Sequence, residues 1–268
     1  WKFILMTDLN ILIVEGNNLE DNQFFVKAAG ASCSDNLKRL VQTLEPTCSI
    51  KVINPGLDNE TKEALNNMSN YDGIIFTGGA MRLNDMTDEI KKHINFASNC
   101  FKFSNKILAI CWGLQICSTA AGGKVLPGKK GAHIGVASDV EINEKGKKNP
   151  IFKNKKLKFT SPAFNFDEVC ELPDGATLLA SDKINDVMAL YFKSGKSEIW
   201  GLQYHPDYEY WQMINISEGR KERLLKNKYF KNEILFKNHM DFLKSEEKKL
   251  DFTNRTCEVR NWLNILKN

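Results

Sequence analysis

The sequence predicts an α/β chain built on a doubly wound, mostly parallel open sheet, and three observations carry that prediction. Short apolar runs bounded by Gly, Asn or Pro alternate with segments of helical periodicity. Runs such as Ile107-Leu108-Ala109-Ile110 lack in-out alternation, as strands buried on both faces of a parallel sheet do. Apolar residues make up 42% and charged residues 26% of the 268 positions, which suffices for a large α/β core and excludes a disordered chain.

In chain order, strands are expected at 11–15, 49–53, 73–77 and 106–110. Helices are expected between them, at 35–45 with Leu37, Leu40, Val41 and Leu44 on one face, and at 88–97 with Ile90, Ile94 and Ala97. Ser34 and Thr87 stand where N-caps belong. From Gly123 to Tyr204, β-rich pieces are separated by turn signals at 145–150 and at Pro173-Asp174-Gly175, which predicts added antiparallel strands. Beyond Pro206 the pattern is helical to the end, with Trp262, Leu263 and Leu266 as a last apolar stripe and its many Lys and Glu residues facing outward. No repeat or linker interrupts the chain. The expected organisation is one domain over 6–207 with a helical extension of the same domain over 208–268, and residues 1–5, which precede Met6, are set apart as vector or upstream sequence. In an open sheet of this kind the ligand site lies at the carboxyl ends of the strands.

The charge balance, 37 basic against 33 acidic residues with no concentrated basic face, argues against a nucleic-acid partner. No run of about 18 apolar residues suggests a membrane span, and the N-terminus lacks the order of a secretory signal. Seven cysteines without paired spacing suggest neither a disulfide framework nor a zinc site, so a cytoplasmic location is expected, with no metal and no cofactor.

The most informative segment is 106–115, in which an apolar strand runs into Cys111, then Gly113, then a helical stretch. This is the pattern of a nucleophile elbow, where small residues two before and two after the nucleophile, here Ala109 and Gly113, let strand and helix approach. A thiol at a helix N-terminus gains thiolate character, and the N–H of the next residue, Trp112, points to where an oxyanion would form. Most cysteines pack as small hydrophobes, and that is the expectation for Cys33, Cys48, Cys100, Cys117, Cys170 and Cys257. A thiol nucleophile calls for a histidine base. Of four histidines, His93, His133 and His239 read as surface or structural, whereas His205 follows a strong strand over 198–204 and precedes the ladder-stopping Pro206. Asp207 stands where a carboxylate would orient the imidazole. A third piece, Thr77-Gly78-Gly79, ends a buried strand in unobstructed backbone N–H groups that suit a second oxyanion donor.

Taken together, Thr77-Gly78-Gly79, then 111–115 (Cys-Trp-Gly-Leu-Gln), then 203–207 (Gln-Tyr-His-Pro-Asp) resemble the class I glutamine amidotransferase family over roughly residues 73–207. Residues 131–135 and 167–176 are similar to the branch of the GMP synthase amidotransferase domain and free-standing γ-glutamyl peptidases, and Arg260-Asn261-Trp262-Leu263 looks like the end of free-standing members. The resemblance implies a flavodoxin-like fold with Cys111 as nucleophile, His205 as base, Gly79 and Trp112 as oxyanion donors and Gln115 as a glutamine-holding residue. The chain departs from the family at three places. Asp207 replaces the usual glutamate, which leaves Glu209 as an alternative orienter; Ala109 replaces a glycine of the elbow; and 160–167 lacks a histidine often found before Asp-Glu-Val. Three functions follow as alternatives. The first is glutamine hydrolysis with ammonia passed to a separate synthetase subunit. The second is stand-alone hydrolysis of a larger γ-glutamyl amide, and the third a non-catalytic homologue that binds a ligand through the old site.

Overall fold

A computed structural model describes residues 8–57 and 60–268; the segment 1–5 set apart above lies outside the described residues. The N-terminal half winds alternately. It runs β1 (Asn10–Val14), α1 (Leu19–Ala29), α2 (Cys33–Leu44), β2 (Ser49–Ile53), α3 (Thr61–Asn66), β3 (Gly73–Phe76), α4 (Asp88–Cys100), β4 (Lys106–Ile110) and α5 (Trp112–Ala120). A β-rich stretch follows, with β5 (Lys124–Pro127), β6 (His133–Ile134), β7 (Ala137–Ile142), the short α6 (Glu144–Lys148), β8 (Lys158–Ser161), β9 (Phe164–Asn165), β10 (Asp167–Glu171), β11 (Thr177–Ser181), β12 (Ala189–Ser194) and β13 (Ser197–Leu202). Helices α7 (Tyr210–Gly219), α8 (Lys221–Lys226), α9 (Glu233–Glu247), α10 (Phe252–Arg255) and α11 (Cys257–Leu266) complete the chain.

The central sheet has the order β2-β1-β3-β4-β13-β12-β11-β7-β8. The first five strands are parallel, in the flavodoxin-like sequence, and the strands from β12 outward pair antiparallel, as the turn signals after Gly123 predict. Two small ribbons, β5 with β10 and β6 with β9, lie outside it. Ile11, Ile75, Leu108 and Trp200 pack on one face of the sheet and Leu12, Ile74, Ile107 and Ile199 on the other, which explains the unbroken apolar runs. Among the described residues no helix is long and apolar enough to cross a membrane.

Most strand and helix ends lie within a few residues of the sequence reading, α4 running on to Cys100, and two of the shifted boundaries have a clear physical cause. Helix α2 starts two residues early because Ser32, not Ser34, caps it: its Oγ accepts from the Asp35 N–H at 3.1 Å, while the Ser34 N–H turns to Glu15 Oε2 at 2.8 Å. Strand β13 ends at Leu202 rather than Tyr204, since the His205 N–H leaves the ladder for the Pro162 carbonyl at 2.7 Å. Thr87 caps α4 as expected.

The last helices are tied to the strand that leads to His205. Buried Lys155 contacts buried Glu258 at 3.0 Å, and the Tyr204 hydroxyl donates to the same carboxylate at 2.5 Å. Arg255 Nη1 donates to the Pro206 carbonyl at 2.8 Å. A paired buried carboxylate is expensive to remove because its partner is left charged and dry. Glu258→Ala is therefore expected to destabilise the fold by roughly 3–5 kcal/mol, read from the urea midpoint, and Lys155→Met added to it is expected to restore part of the loss.

Candidate active site

Cys111 sits at the junction of β4 and α5 with φ 51° and ψ −105°, a conformation that side-chain-bearing residues rarely adopt and that costs on the order of 1–3 kcal/mol. The junction is held from several sides. The Cys111 N–H donates to the Leu202 carbonyl at 2.6 Å, and the Gly113 N–H donates to Thr77 O at 3.1 Å. A Cβ on Gly113 would lie 2.5 Å from Phe76 O, so only glycine permits this crossing. Ala109 at the other small position is fully buried opposite Gly201, whose own missing side chain makes room for Leu114 of α5. The methyl of Ala109 is thus accommodated by a glycine on the neighbouring strand. The sulfur accepts from Gln203 Nε2 at 3.4 Å and faces the Phe164 carbonyl at 3.7 Å.

His205, buried just past β13, hydrogen-bonds through Nδ1 to Asp207 Oδ1 at 3.1 Å, and its ring meets Tyr208 edge-on at 5.0 Å. Burial by itself lowers the imidazole pKa; the Asp207 carboxylate and then the Cys111 sulfur outweigh it, so the ring is pushed up to about 10. Glu209, the alternative partner of the imidazole, is engaged elsewhere. It caps α7, accepts from Trp211 Nε1 at 2.8 Å and pairs with Arg255 at 3.2 Å. The shorter Asp207 side chain reaches the ring because the backbone turns tightly here, fixed by Asn36 Nδ2 on the Asp207 carbonyl at 2.6 Å.

The Gly78-Gly79 turn faces these groups. A Cβ on Gly78 would stand 2.5 Å from His205 Cε1, and one on Gly79 2.6 Å from Gly16 O. Gly16 N–H donates to Thr77 Oγ1 at 2.9 Å and Ala80 N–H to Asn17 Oδ1 at 2.8 Å, which pins the turn to the loop after β1. The N–H groups of Gly79 and of Trp112, the first residue of α5, make no hydrogen bond among the described residues. Gln115 is buried and donates Nε2 to Asp167 O at 2.9 Å and to Gln203 Oε1 at 3.3 Å. A cleft of about 40 Å³ runs between Cys111, Trp112, Gln115, Asn165 and Arg220. All six residues singled out in the sequence thus lie around one point at the carboxyl edge of the sheet. A thiol in contact with a carboxylate-backed imidazole and next to two free N–H groups is equipped for acyl transfer. Among the described residues no group of three or more His, Cys, Asp or Glu is placed to hold a metal ion.

The other histidines have different surroundings. His93 is buried with its ring edge-on to Trp112 at 4.9 Å, and burial lowers its pKa to about 4. His133 is buried between Asn165 and Asp182, and His239 meets the Ile134 carbonyl at 2.6 Å. Sequence reasoning missed Gln203, Tyr208, Arg82 and Arg220. Gln203 was legible as the first residue of its motif, whereas the others come from loops and helices that only the fold brings to the cleft. Arg82 forms a two-pronged pair with Asp167 at 2.5 Å, which joins the loop after β3 to β10.

The chain resembles known proteins over most of its length. The family model described as glutamine amidotransferase class-I matches residues 25–232. The chain is 30% identical over 214 residues to a γ-glutamyl-L-1-hydroxyisopropylamide hydrolase of Pseudomonas sp, covering 79% of this chain and 72% of the relative. It is 33% identical over 151 residues to a glutamine-hydrolysing GMP synthase subunit of Methanococcus vannielii, covering 56% of this chain and 72% of the relative. A glutamine amidotransferase structure from Thermotoga maritima superposes with a TM-score of 0.66 at 20% identity, over 98% of this chain and 99% of that one, a likeness of fold.

Two outcomes follow from the geometry. Asp207→Asn leaves burial opposed only by the sulfur, so an NMR titration of the His205 ring is expected to show a lower pKa than the wild type's. Gly78→Ala is expected to displace that ring from Cys111 while the protein stays folded, visible as a changed His205 signal with an unchanged far-ultraviolet circular dichroism spectrum.

Proposed function

Because the chain belongs to the class I glutamine amidotransferase family, we propose that it hydrolyses a γ-glutamyl amide through a thioester on Cys111. The observation that carries this reading is the strained placement of Cys111 at the head of α5, against the His205–Asp207 pair. The Cys111 sulfur, its proton held by His205, attacks the side-chain carbonyl carbon of the γ-glutamyl group. The carbonyl oxygen, now negative, takes the N–H groups of Gly79 and Trp112. His205, held by Asp207, gives its proton to the departing nitrogen as the C–N bond breaks. Water then loses a proton to His205 and attacks the thioester, releasing glutamate and the free thiol. Gln115, braced by Asp167 and Gln203, shapes the wall against which the γ-glutamyl chain lies.

An amide larger than that of glutamine is the favoured substrate. Helices α1, α7 and α8 border an outer cavity of about 530 Å³, open to solvent, whose lining shares Ala80 and Arg220 with the cleft at Cys111, so a bulky leaving amine has somewhere to lie. Similarity to a hydrolase of a substituted γ-glutamyl amide supports the same choice. Similarity to the glutamine-hydrolysing GMP synthase chain supports a second reading, in which glutamine is cut and ammonia passes to a synthetase subunit.

Purified protein is expected to turn over larger γ-glutamyl amides faster than glutamine, with Cys111→Ala inactive and a glutamine-like electrophile attached at Cys111 alone. Preference for glutamine, appearing only when a synthetase co-purifies, would select the second reading; no turnover of any γ-glutamyl compound together with no labelling would defeat both. The alkaline limb of the wild-type pH–rate profile is expected above the ordinary histidine range, since the raised His205 pKa keeps the proton donor charged there, and Asp207→Asn is expected to move that limb down.

A further inference from the structure

Arg220, between α7 and α8, lies at the meeting point of the three cavities around the site. It lines the cleft with Cys111, a pocket with His205 and Tyr208, and the outer cavity with Asp21 and Phe24. Its guanidinium is wedged among three aromatic rings, 5.0 Å from the centre of Phe24, 5.5 Å from Phe25 and 5.1 Å from Phe164. Stacking on ring faces fixes the plane of the group and leaves its N–H edge for other partners. Among the described residues no carboxylate stands within 4 Å of it and its side chain donates no hydrogen bond, in contrast to Arg82 across the cleft, whose fork is filled by Asp167. Burial lowers the Arg220 pKa against the opposing charge of Asp21, which lines the same outer cavity. A fixed, largely dehydrated guanidinium with unfilled donors is suited to a planar anion, and a carboxylate fits it with two parallel hydrogen bonds.

The position favours a carboxylate on the leaving amine. The γ-glutamyl chain occupies the side of Cys111 bounded by Gln115 and Asp167, whereas the departing nitrogen must face His205 to take its proton. Arg220 lines the cleft with Gln115 and Asp167 as well as the pocket with His205, and it stands where the narrow cleft gives way to the outer cavity, so a leaving amine that faces His205 passes it on the way out. We propose that Arg220 binds a carboxylate on the leaving amine, so that the preferred substrates are γ-glutamyl amino acids or peptides and the outer cavity receives the side chain or following residue. This rests on the γ-glutamyl hydrolase reading and names its substrate class.

The test compares γ-glutamyl-alanine with γ-glutamyl-isopropylamide, which differ by a carboxylate in place of a methyl group. Wild-type kcat/KM is expected to favour the amino acid by about tenfold or more, the discrimination of a site built to pair a charged group. Arg220→Met, which keeps much of the apolar stem among the three rings, is expected to bring the ratio near one, and Arg220→Lys to leave an intermediate ratio. A wild-type ratio at or below one overturns the proposal, as does an Arg220→Met ratio equal to that of the wild type. A fall in both rates by the same factor with a lower melting temperature would mark Arg220 as a packing residue and overturn it too. If neither compound is cleaved, the hydrolase reading fails separately, and calorimetric binding of γ-glutamyl-alanine to the Cys111→Ala protein still decides Arg220. Weaker binding on adding Arg220→Met supports the carboxylate site, and unchanged binding overturns it.

Discussion

The positive-φ turn at Cys111 is the constraint around which the surrounding structure is arranged. It can exist only where a strand end and a helix start are clamped more strongly than the strain they hold, and the clamps are visible. Leu202 of β13 takes the Cys111 N–H, Thr77 beyond β3 takes the Gly113 N–H, and Phe76 leaves no room for any side chain at 113. Because β3, β4 and β13 are adjacent in the sheet, the groups that hold the elbow are also the ones that deliver the Gly78-Gly79 turn and His205 to it. Parallel pairing puts all three carboxyl ends on one edge, so one sheet register sets the mutual positions of sulfur, imidazole and free N–H groups.

Electrostatics complete what the register begins. His205 is buried, a condition that alone favours the neutral ring, and it is kept charged by a carboxylate two residues away and by the sulfur it faces. That carboxylate is attached to a turn whose carbonyls are bonded by Asn36 and Arg255, on α2 and α10. The C-terminal helices therefore act on the site twice. Through Arg255, Glu258 and Lys155 they fix the chain around His205, and through Arg220 they wall the cavity next to Cys111.

Motif residues in this chain were legible because each is required by backbone geometry or reaction chemistry at one spot. Gly113 follows from the elbow, Gly79 from the turn after β3, and Cys111 and His205 from the need for a nucleophile and its base. The choice between Asp207 and Glu209 was not legible, since both lie within reach of the imidazole along the chain. It rested on where the tertiary structure sends Glu209, which is to the cap of α7 and to Arg255. His93 likewise reads as a surface or structural residue of a charged helix, yet it is wholly buried against Trp112, because the face of α4 that carries it packs on α5.

By itself the sequence determined the alternation of strands and helices, the parallel half of the sheet and the order of the three motifs. Each of these is written in local periodicity or in residues with a single conformational or chemical use. Tertiary structure alone decided the partner of His205, the placing of α7 and α8 beside the site, and the place of Arg220 among Phe24, Phe25 and Phe164. Those depend on residues far apart in the chain meeting through packing, and an arginine carries no mark in the sequence of whether a carboxylate, three aromatic rings or water will meet it.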